Sequence, residues 1–493
     1  MRKAVACLFL VMVLLLSSVG MVANAAQPDR TYIYEENKPI PSTNAYQVKL
    51  VVDETVMGTT RLKNPRDIFV DSEDYTYILD SGNCRVLVLD KNYRCVKELT
   101  EFNYNGEVHT LAESAEGLFF REANQRLYIA DTENNRILVT DLDGNISKIY
   151  DKPVDELLDP TVAYKPKKII VDNMGIMYVT SGNVNTGAML VDSGNNFLGF
   201  YGTNKLTMTA AMKLEYWWRS ILSDAANAQS ATSFQPVEFN NLFWSDDRFV
   251  YTVSPLVSNV ESAASKLNAL GNNVFPESIN MYELAKERGI ITKNVTDNGM
   301  VLADITVDSE GIFTIVDMIT GHLFQYDEGC NLLAIFGGMG YQQGLFLQPL
   351  AIESDNDNNL LVLDAGKNTI TVMEQTFYGK MIREANYLYN QGLYQDSVEP
   401  WMEVLRMNAN YTQAYAGLGK AYYSMTDYEK AMEYFKLGND KEGYAEAKVA
   451  LRDQKVRDNF ALVAVAVVVI LIVILGYDQI KDLISRVYWR IRK

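Results

Sequence analysis

The chain has 493 residues, with 45 Lys and Arg against 62 Asp and Glu, two His and four Cys. A formal charge of −17 speaks against nucleic acid or anionic lipid as a partner of its bulk. Two histidines exclude a three-histidine zinc site within one chain, and four cysteines are too few for a disulfide-built scaffold.

Met1–Ala25 reads as a secretory signal. Arg2 and Lys3 form a basic start, residues 4–22 are apolar, and Ala23-Asn24-Ala25 is a small-residue cleavage site. The signal predicts a bulk placed outside the cell. Residues 26–45, with Pro28, Pro39 and Pro41, predict an extended arm. Tyr46–Val52 follows as a strand with no hairpin partner of its own.

One unit then recurs about every 50 residues. In residues 126–144, Leu127-Tyr128-Ile129 is a β run and Asp131 to Asn135 is a polar turn. Arg136 opens a second β run, Asp143-Gly144 is a hairpin signal, and residues 146–150 supply an outer strand. Residues 117–121 supply the first strand. The same order holds at Asp80, Arg85 and Asp90, with spacings of five residues as at Asp131, Arg136 and Asp141. Two later copies keep Asp317, His322, Asp327 and Asp364, Thr369, Glu374. A third unit lies around Tyr178 and Asp192, and a degenerate fourth around Phe249 to Thr252. Six four-stranded units at this period predict a mainly β fold, a six-bladed β-propeller, because each small sheet buries its faces only against its neighbours. The last unit is one strand short, so Tyr46–Val52 is expected to complete it and close the ring.

An Asp, a polar turn with Asn, then Arg before a β run resembles the NHL-repeat propeller family over residues 46–379. Asp80, Arg85, Asp131, Arg136, Asp317 and Asp364 are read as architectural, the Asp taking turn N–H groups and the Arg pairing with it. Residues 205–233 break the strand rhythm with apolar positions at helical spacing. Tyr216, Trp217 and Trp218 within them either pack that helix onto the propeller, the preferred reading, or anchor a partner. A second irregular region holds an expected helix at residues 279–288.

From Lys380 the pattern becomes helical. Tyr394 and Tyr428 stand 34 residues apart, and Tyr415, Leu418, Gly419, Tyr422, Ala431 and Phe435 resemble a tetratricopeptide repeat. The first of two repeats in residues 380–440 has Glu384-Ala385 where Leu-Gly is usual. The resemblance implies an interaction groove, with Tyr387, Tyr415 and Tyr422 as candidate partner-binding residues; a spacer role is weighed equally. A charged juxtamembrane helix is expected at 441–459 and a transmembrane helix at 460–477, which carries no charge over 18 residues. The basic amphipathic tail, 478–493, is expected inside, either on anionic lipid, the preferred reading, or docked on another membrane protein.

The layout as a whole resembles Gram-positive bacterial membrane-anchored NHL-repeat proteins found with carbohydrate ABC transporters. That resemblance implies a single-pass cell-membrane protein with an accessory, scaffold or sensor role toward other proteins. No nucleophile elbow, phosphate loop or CxxC is present. Gly337 to Gly340 resembles a phosphate loop only in composition. A glycan-binding propeller is the alternative. A sugar-lactone hydrolase is a further one, for which Glu116 before Gly117 resembles a metal-ligating position. No cofactor is expected; loose calcium binding by the acidic surface is the sole cation reading, and nothing in the sequence supports it. The pairing of Cys84 with Cys95 is left open.

Overall fold

In a computed structural model, residues 32–35, 38–158, 161, 163–182, 184, 186–202, 238–245, 247–254, 263–275 and 301–491 are described. The signal segment 1–25, the insertion 205–233 with Tyr216, Trp217 and Trp218, and the helix expected at 279–288 lie outside the described residues. The chain divides into two compact units, Met1–Lys380 and Met381–Lys493.

The first unit is a six-bladed β-propeller of antiparallel sheets. Blade 1 runs Asp67–Val70, Thr76–Asp80, Arg85–Leu89 and Cys95–Leu99; blade 2 runs Gly117–Arg121, Arg126–Asp131, Arg136–Thr140 and Ile146–Tyr150. Blade 3 begins at Pro166–Val171, and blade 4 shows three described strands, Asn241–Trp244, Val250–Val253 and Ala264–Leu267. Blade 5 runs from Leu302–Val307 to Leu332–Gly337, and blade 6 from Pro349–Ser354 to Thr369–Gln375. Tyr46–Val52 pairs antiparallel with Thr369–Gln375, from Tyr46 opposite Gln375 to Val52 opposite Ile370, so the first strand completes the last blade. Val52 and Tyr46 are almost fully buried there, and burying such side chains contributes roughly 1.5–3 kcal/mol each.

The core consists of apolar layers between blades. Tyr77, Leu79 and Val88 of blade 1 pack with Leu118, Phe120 and Leu127 of blade 2. Val52, Ile68 and Leu87 pack with Leu361, Leu363 and Val372 across the closure. Gly117 marks a tight approach, since a Cβ there would lie 2.1 Å from the carbonyl oxygen of Lys167.

The described part of the expected extended arm is a hairpin. Tyr32–Glu35 pairs with Lys38–Pro41, and Tyr32 stands opposite Ile335 on the outer strand of blade 5. An apolar outer edge next to chain that can pair with it explains the difference, because an unpaired strand edge leaves N–H and C=O groups unsatisfied. After the closing strand, a short helix α1, Glu54–Met57, is capped by Asp53, whose carboxylate accepts from the N–H groups of Thr55 and Val56.

The second unit is helical. Helix α2, Phe377–Asn390, leads into it; α3 is Tyr394–Met407, α4 Thr412–Ser424, α5 Tyr428–Leu437, α6 Lys441–Asp458 and α7 Phe460–Ile491. Gly419 of α4 lies against Phe435 of α5, where a Cβ would come within 2.5 Å of the ring. Ala447 of α6 is buried with Ala431 and Phe435. The charged helix expected before the span is therefore packed on α5 by a small-residue contact rather than standing alone. α7 joins the expected span and the expected tail in one helix of 32 residues, and within it Phe460–Gln479 is long and apolar enough to cross a membrane.

Candidate functional site

The repeat aspartates all do the same thing, on the face of the propeller where second strands turn into third strands. Asp80 Oδ1 accepts the N–H of Lys63 at 2.7 Å, Asp131 Oδ1 that of Ala112 at 2.9 Å, Asp317 Oδ1 that of Val301 at 2.9 Å and Asp364 Oδ1 that of Gln348 at 2.9 Å. Each ties the connection entering a blade to that blade's own turn. In the first two blades the other oxygen receives Arg85 Nε at 2.7 Å and Arg136 Nε at 2.8 Å. In blade 3, Ser181 Oγ takes the place of the carboxylate and accepts from the N–H of Lys165. Ser81 and Thr132, one residue past the first two aspartates, donate to the carbonyls of Ala115 and Pro166 in the next blade.

The opposite face carries a second set of aspartates in the turns between first and second and between third and fourth strands. Asp71, Asp172, Asp308 and Asp355 accept backbone N–H groups two and four residues on, and so do Asp90, Asp141 and Asp192. These side chains imitate a backbone turn. Backbone and side-chain donors from Asn145 hold Asp141 below the usual carboxylate range despite some burial, and Asn196 does the same for Asp192. Eleven of the 62 acidic residues thus serve the turns of the propeller itself and keep their charge there.

Between these faces, the inner strands bring together a charged cluster from four blades. Asp67 opens the inner strand of blade 1, Lys168 and Asp304 are the third residues of the inner strands of blades 3 and 5, and Glu353 lies on the inner strand of blade 6. Lys168 Nζ meets Asp67 Oδ1 at 2.5 Å, with both side chains nearly buried. Asp67 Oδ2 accepts the N–H of Leu118 in blade 2 at 2.7 Å. Asp304 repeats the device: its Oδ2 accepts the N–H of Ile352 in blade 6 at 2.8 Å. Thr306 donates to Glu353 Oε2 at 3.3 Å.

One ammonium faces three carboxyl groups here, and water is largely excluded. Burial pushes Asp304 up to about 7, with Lys168 opposing the shift and the Asp67 carboxylate adding to it. Burial, then the carboxylates of Asp304 and Asp67, hold Glu353 well above its ordinary range. Asp67 is raised by burial against the pull of Lys168. Lys168, although burial works against its charge, is raised by Asp67 and Asp304. The cluster can store protons and pin blades to one another. Its oxygens are engaged by backbone N–H groups, Thr306 and Lys168, and among the described residues no group of three or more His, Cys, Asp or Glu is arranged to hold a metal ion.

Sequence reasoning passed over this cluster. A signal existed: Asp67, Lys168 and Asp304 each stand thirteen residues before the turn residue of their blade, Asp80, Ser181 and Asp317. Glu116 is half-buried at the entry to blade 2, and its charge acts on Lys168. Among the tyrosines considered for partner binding, Tyr387 is 48% exposed. Tyr415 and Tyr422 are half-buried. Tyr422 stacks on Tyr434 at 5.3 Å with Lys430 over its ring. His109 Nδ1 meets Arg136 Nη1 at 3.0 Å, so the structure gives it a place in the repeat's ion pair. Cys84, Cys95 and Cys330 are not joined by disulfides.

No family model matches the chain, and no curated protein matches it. Solved structures do resemble it. A structural-genomics protein of unknown function from Bacteroides thetaiotaomicron is 14% identical over 68% of this chain and 73% of its own, with a TM-score of 0.40. A catalytically inactive virginiamycin B lyase from Staphylococcus aureus, solved with quinupristin, is 12% identical over 67% of this chain and 88% of its own, with a TM-score of 0.38. The WD40 propeller domain of Doa1 is 10% identical over 68% and 99%, with a TM-score of 0.37. These likenesses concern the propeller fold and carry nothing about activity or ligand.

Proposed function

We propose that this chain is a membrane-anchored, extracytoplasmic interaction or scaffold module, built from an NHL-type propeller, two tetratricopeptide-like helix pairs and one C-terminal span. The observation that carries the reading is α7, whose apolar stretch Phe460–Gln479 has no residue buried within the chain. A stretch of 20 such residues, about 30 Å long, matches the hydrocarbon core of a bilayer. The signal-like start orients the propeller outside. The small-residue contacts at Gly419, Ala431 and Ala447 support a repeat-type helical stack. Partners are other membrane or surface proteins, and accessory service to a carbohydrate transporter follows from the family resemblance alone.

The test is cross-linking and recovery of partners from native membranes, with the full chain beside one lacking residues 380–440. Recovery of a membrane protein by the full chain alone supports the reading and assigns the contact to the helices. Recovery of nothing by either counts against it. The competing chemistry has its own signature: metal-dependent turnover of a sugar lactone, lost in Glu116→Ala, makes the chain an enzyme. Sugar-dependent thermal stabilisation without turnover makes it a glycan binder.

A further inference from the structure

Helices α6 and α7 are separated only by Asn459. Along their junction lies an open groove of about 540 Å³. Leu451, Val456 and Phe460 give it an apolar wall, and Lys448, Arg452 and Lys455 supply three cations. Their spacing sets all six on one helical face. No Asp or Glu lines the groove. In a chain with 62 Asp and Glu against 45 Lys and Arg, this face is a local reversal of sign. Arg452 pairs with its neighbour Asp453 at 2.9 Å, and Lys455 with Glu429 of α5 at 3.0 Å. Both pairs are exposed, and exposed pairs are weak enough to exchange for another anion. The groove ends at Phe460, where the apolar stretch Phe460–Gln479 begins. At about 1.5 Å per helical residue, Lys455 stands roughly 8 Å and Arg452 roughly 12 Å from Phe460 along the helix. The headgroup layer outside the hydrocarbon core is about 5–8 Å deep on each side. A helix that enters the bilayer at Phe460 therefore holds Lys455 level with the lipid phosphates, Arg452 one turn farther out and Phe460 at the acyl boundary.

We propose that this groove holds an anionic phospholipid, its phosphate at Lys455 and Arg452 and its glycerol and upper acyl chain against Val456 and Phe460. The cations alone would suit a soluble phosphate. The apolar wall leading into the span selects a phosphate that is joined to an acyl chain. Net charge sorts the lipids, because a headgroup whose own cation cancels the phosphate attracts Lys and Arg less. The acidic bulk of the chain repels such a lipid, so the attraction is confined to this face. The level of the groove at the membrane rests on the anchored reading above.

The experiment places the full chain in vesicles of equal phosphatidylcholine and phosphatidylglycerol, releases it under native conditions and counts the retained lipid by mass spectrometry. The intact chain is expected to keep phosphatidylglycerol several-fold over phosphatidylcholine. Arg452→Gln combined with Lys455→Gln is expected to bring the two lipids to parity. Arg452→Lys, which keeps the charge, is expected to retain the preference. Lys481→Gln combined with Arg486→Gln, in the basic tail, is expected to retain it too. No preference in the intact chain, or a loss in the tail variant equal to that in the groove variant, overturns the proposal. Excess glycerol 3-phosphate is expected to leave the lipid bound; its displacement assigns the groove to a soluble phosphate and overturns the lipid. Alkaline carbonate extraction of membranes holding the chain separates the two ideas. Release of the chain removes the anchored reading, whereas a retained chain without the groove-dependent preference removes only the lipid site.

Discussion

The two units settle their polar and apolar groups in opposite ways. The propeller closes on itself: Tyr46–Val52 occupies the free edge of the last blade, turn aspartates accept backbone N–H groups, and Lys168 pairs with Asp67 between inner strands. The helical unit closes by size instead, with Gly419, Ala431 and Ala447 letting helices approach Phe435. Beyond those contacts it leaves a long apolar helix uncovered. The turn aspartates thus have a structural role of their own, although each keeps its negative charge. Among the described residues, the long apolar helix left uncovered lies in the helical unit.

The sharpest way to break this contrast is to remove residues 46–52. The edge of Thr369–Gln375 would then be open and its apolar face exposed. The expected result is loss of a cooperative thermal transition and aggregation during gel filtration. A sharp melt at the original temperature would show that the ring does not need its closing strand.

Next in size is Asp80→Ala, which removes the buried carboxylate from Arg85 Nε and leaves the guanidinium with Glu98 and Thr60 as partners, so the loss is expected toward the lower end of the range for a buried pair. Breaking a buried pair from one side costs about 3–5 kcal/mol. Asp364 has no arginine partner in the repeat and serves backbone N–H groups only, so Asp364→Ala is expected to cost less, about 1–3 kcal/mol. Urea unfolding of both variants measures the difference, and equal losses would show that the arginine adds nothing.

The cluster on the inner strands predicts a pH dependence with a definite sign. Asp304, raised from 3.8 to about 7, keeps in the folded state a proton that the unfolded chain has released. Folding takes up that proton between these values, so stability declines as pH rises from about 4 to 7, by up to roughly 4 kcal/mol, less where coupled neighbours share the proton. Glu353 and Asp67, also raised, act in the same sense. Asp141 and Asp192, both lowered, act oppositely, their contribution being lost as pH falls through the acid range. Asp304→Asn is expected to flatten the decline in urea midpoints measured across this range. An unchanged slope would place the titration elsewhere.

The smallest expected effect is in the helical unit. Gly419→Val puts a branched side chain against Phe435, and overpacking of this kind costs about 1–3 kcal/mol. The propeller should be unaffected, so a two-step melt in which only the helical step moves would sharpen the division between units.

The repeat was legible because its signals are local. Asp131, its turn and Arg136 lie within six consecutive residues, and the strand ends fall where the turn formers stand. The pairing of the first strand with the last blade was legible by counting strands. The inner-strand cluster was not, because Asp67, Lys168, Asp304 and Glu353 are far apart in sequence and each looks like an ordinary residue at the head of, or within, a strand. The hairpin at Tyr32–Pro41 was also missed, since two prolines in a short segment suggest an arm and only a neighbouring free edge makes it a strand pair. Tyr216, Trp217 and Trp218 lie outside the described residues, so their reading stands where the sequence left it.

By itself the amino-acid order determined the number and kind of units: a β repeat of fixed spacing, then helices, then an apolar helix. Periodicity and turn chemistry act over a few residues and need no partner. Tertiary structure alone decided which distant charges meet between the inner strands, that burial raises Asp304 to about 7, and that the apolar stretch and the tail form one unbroken helix. Burial and the loss of water set those properties, and both depend on neighbours that the chain brings together only when it folds.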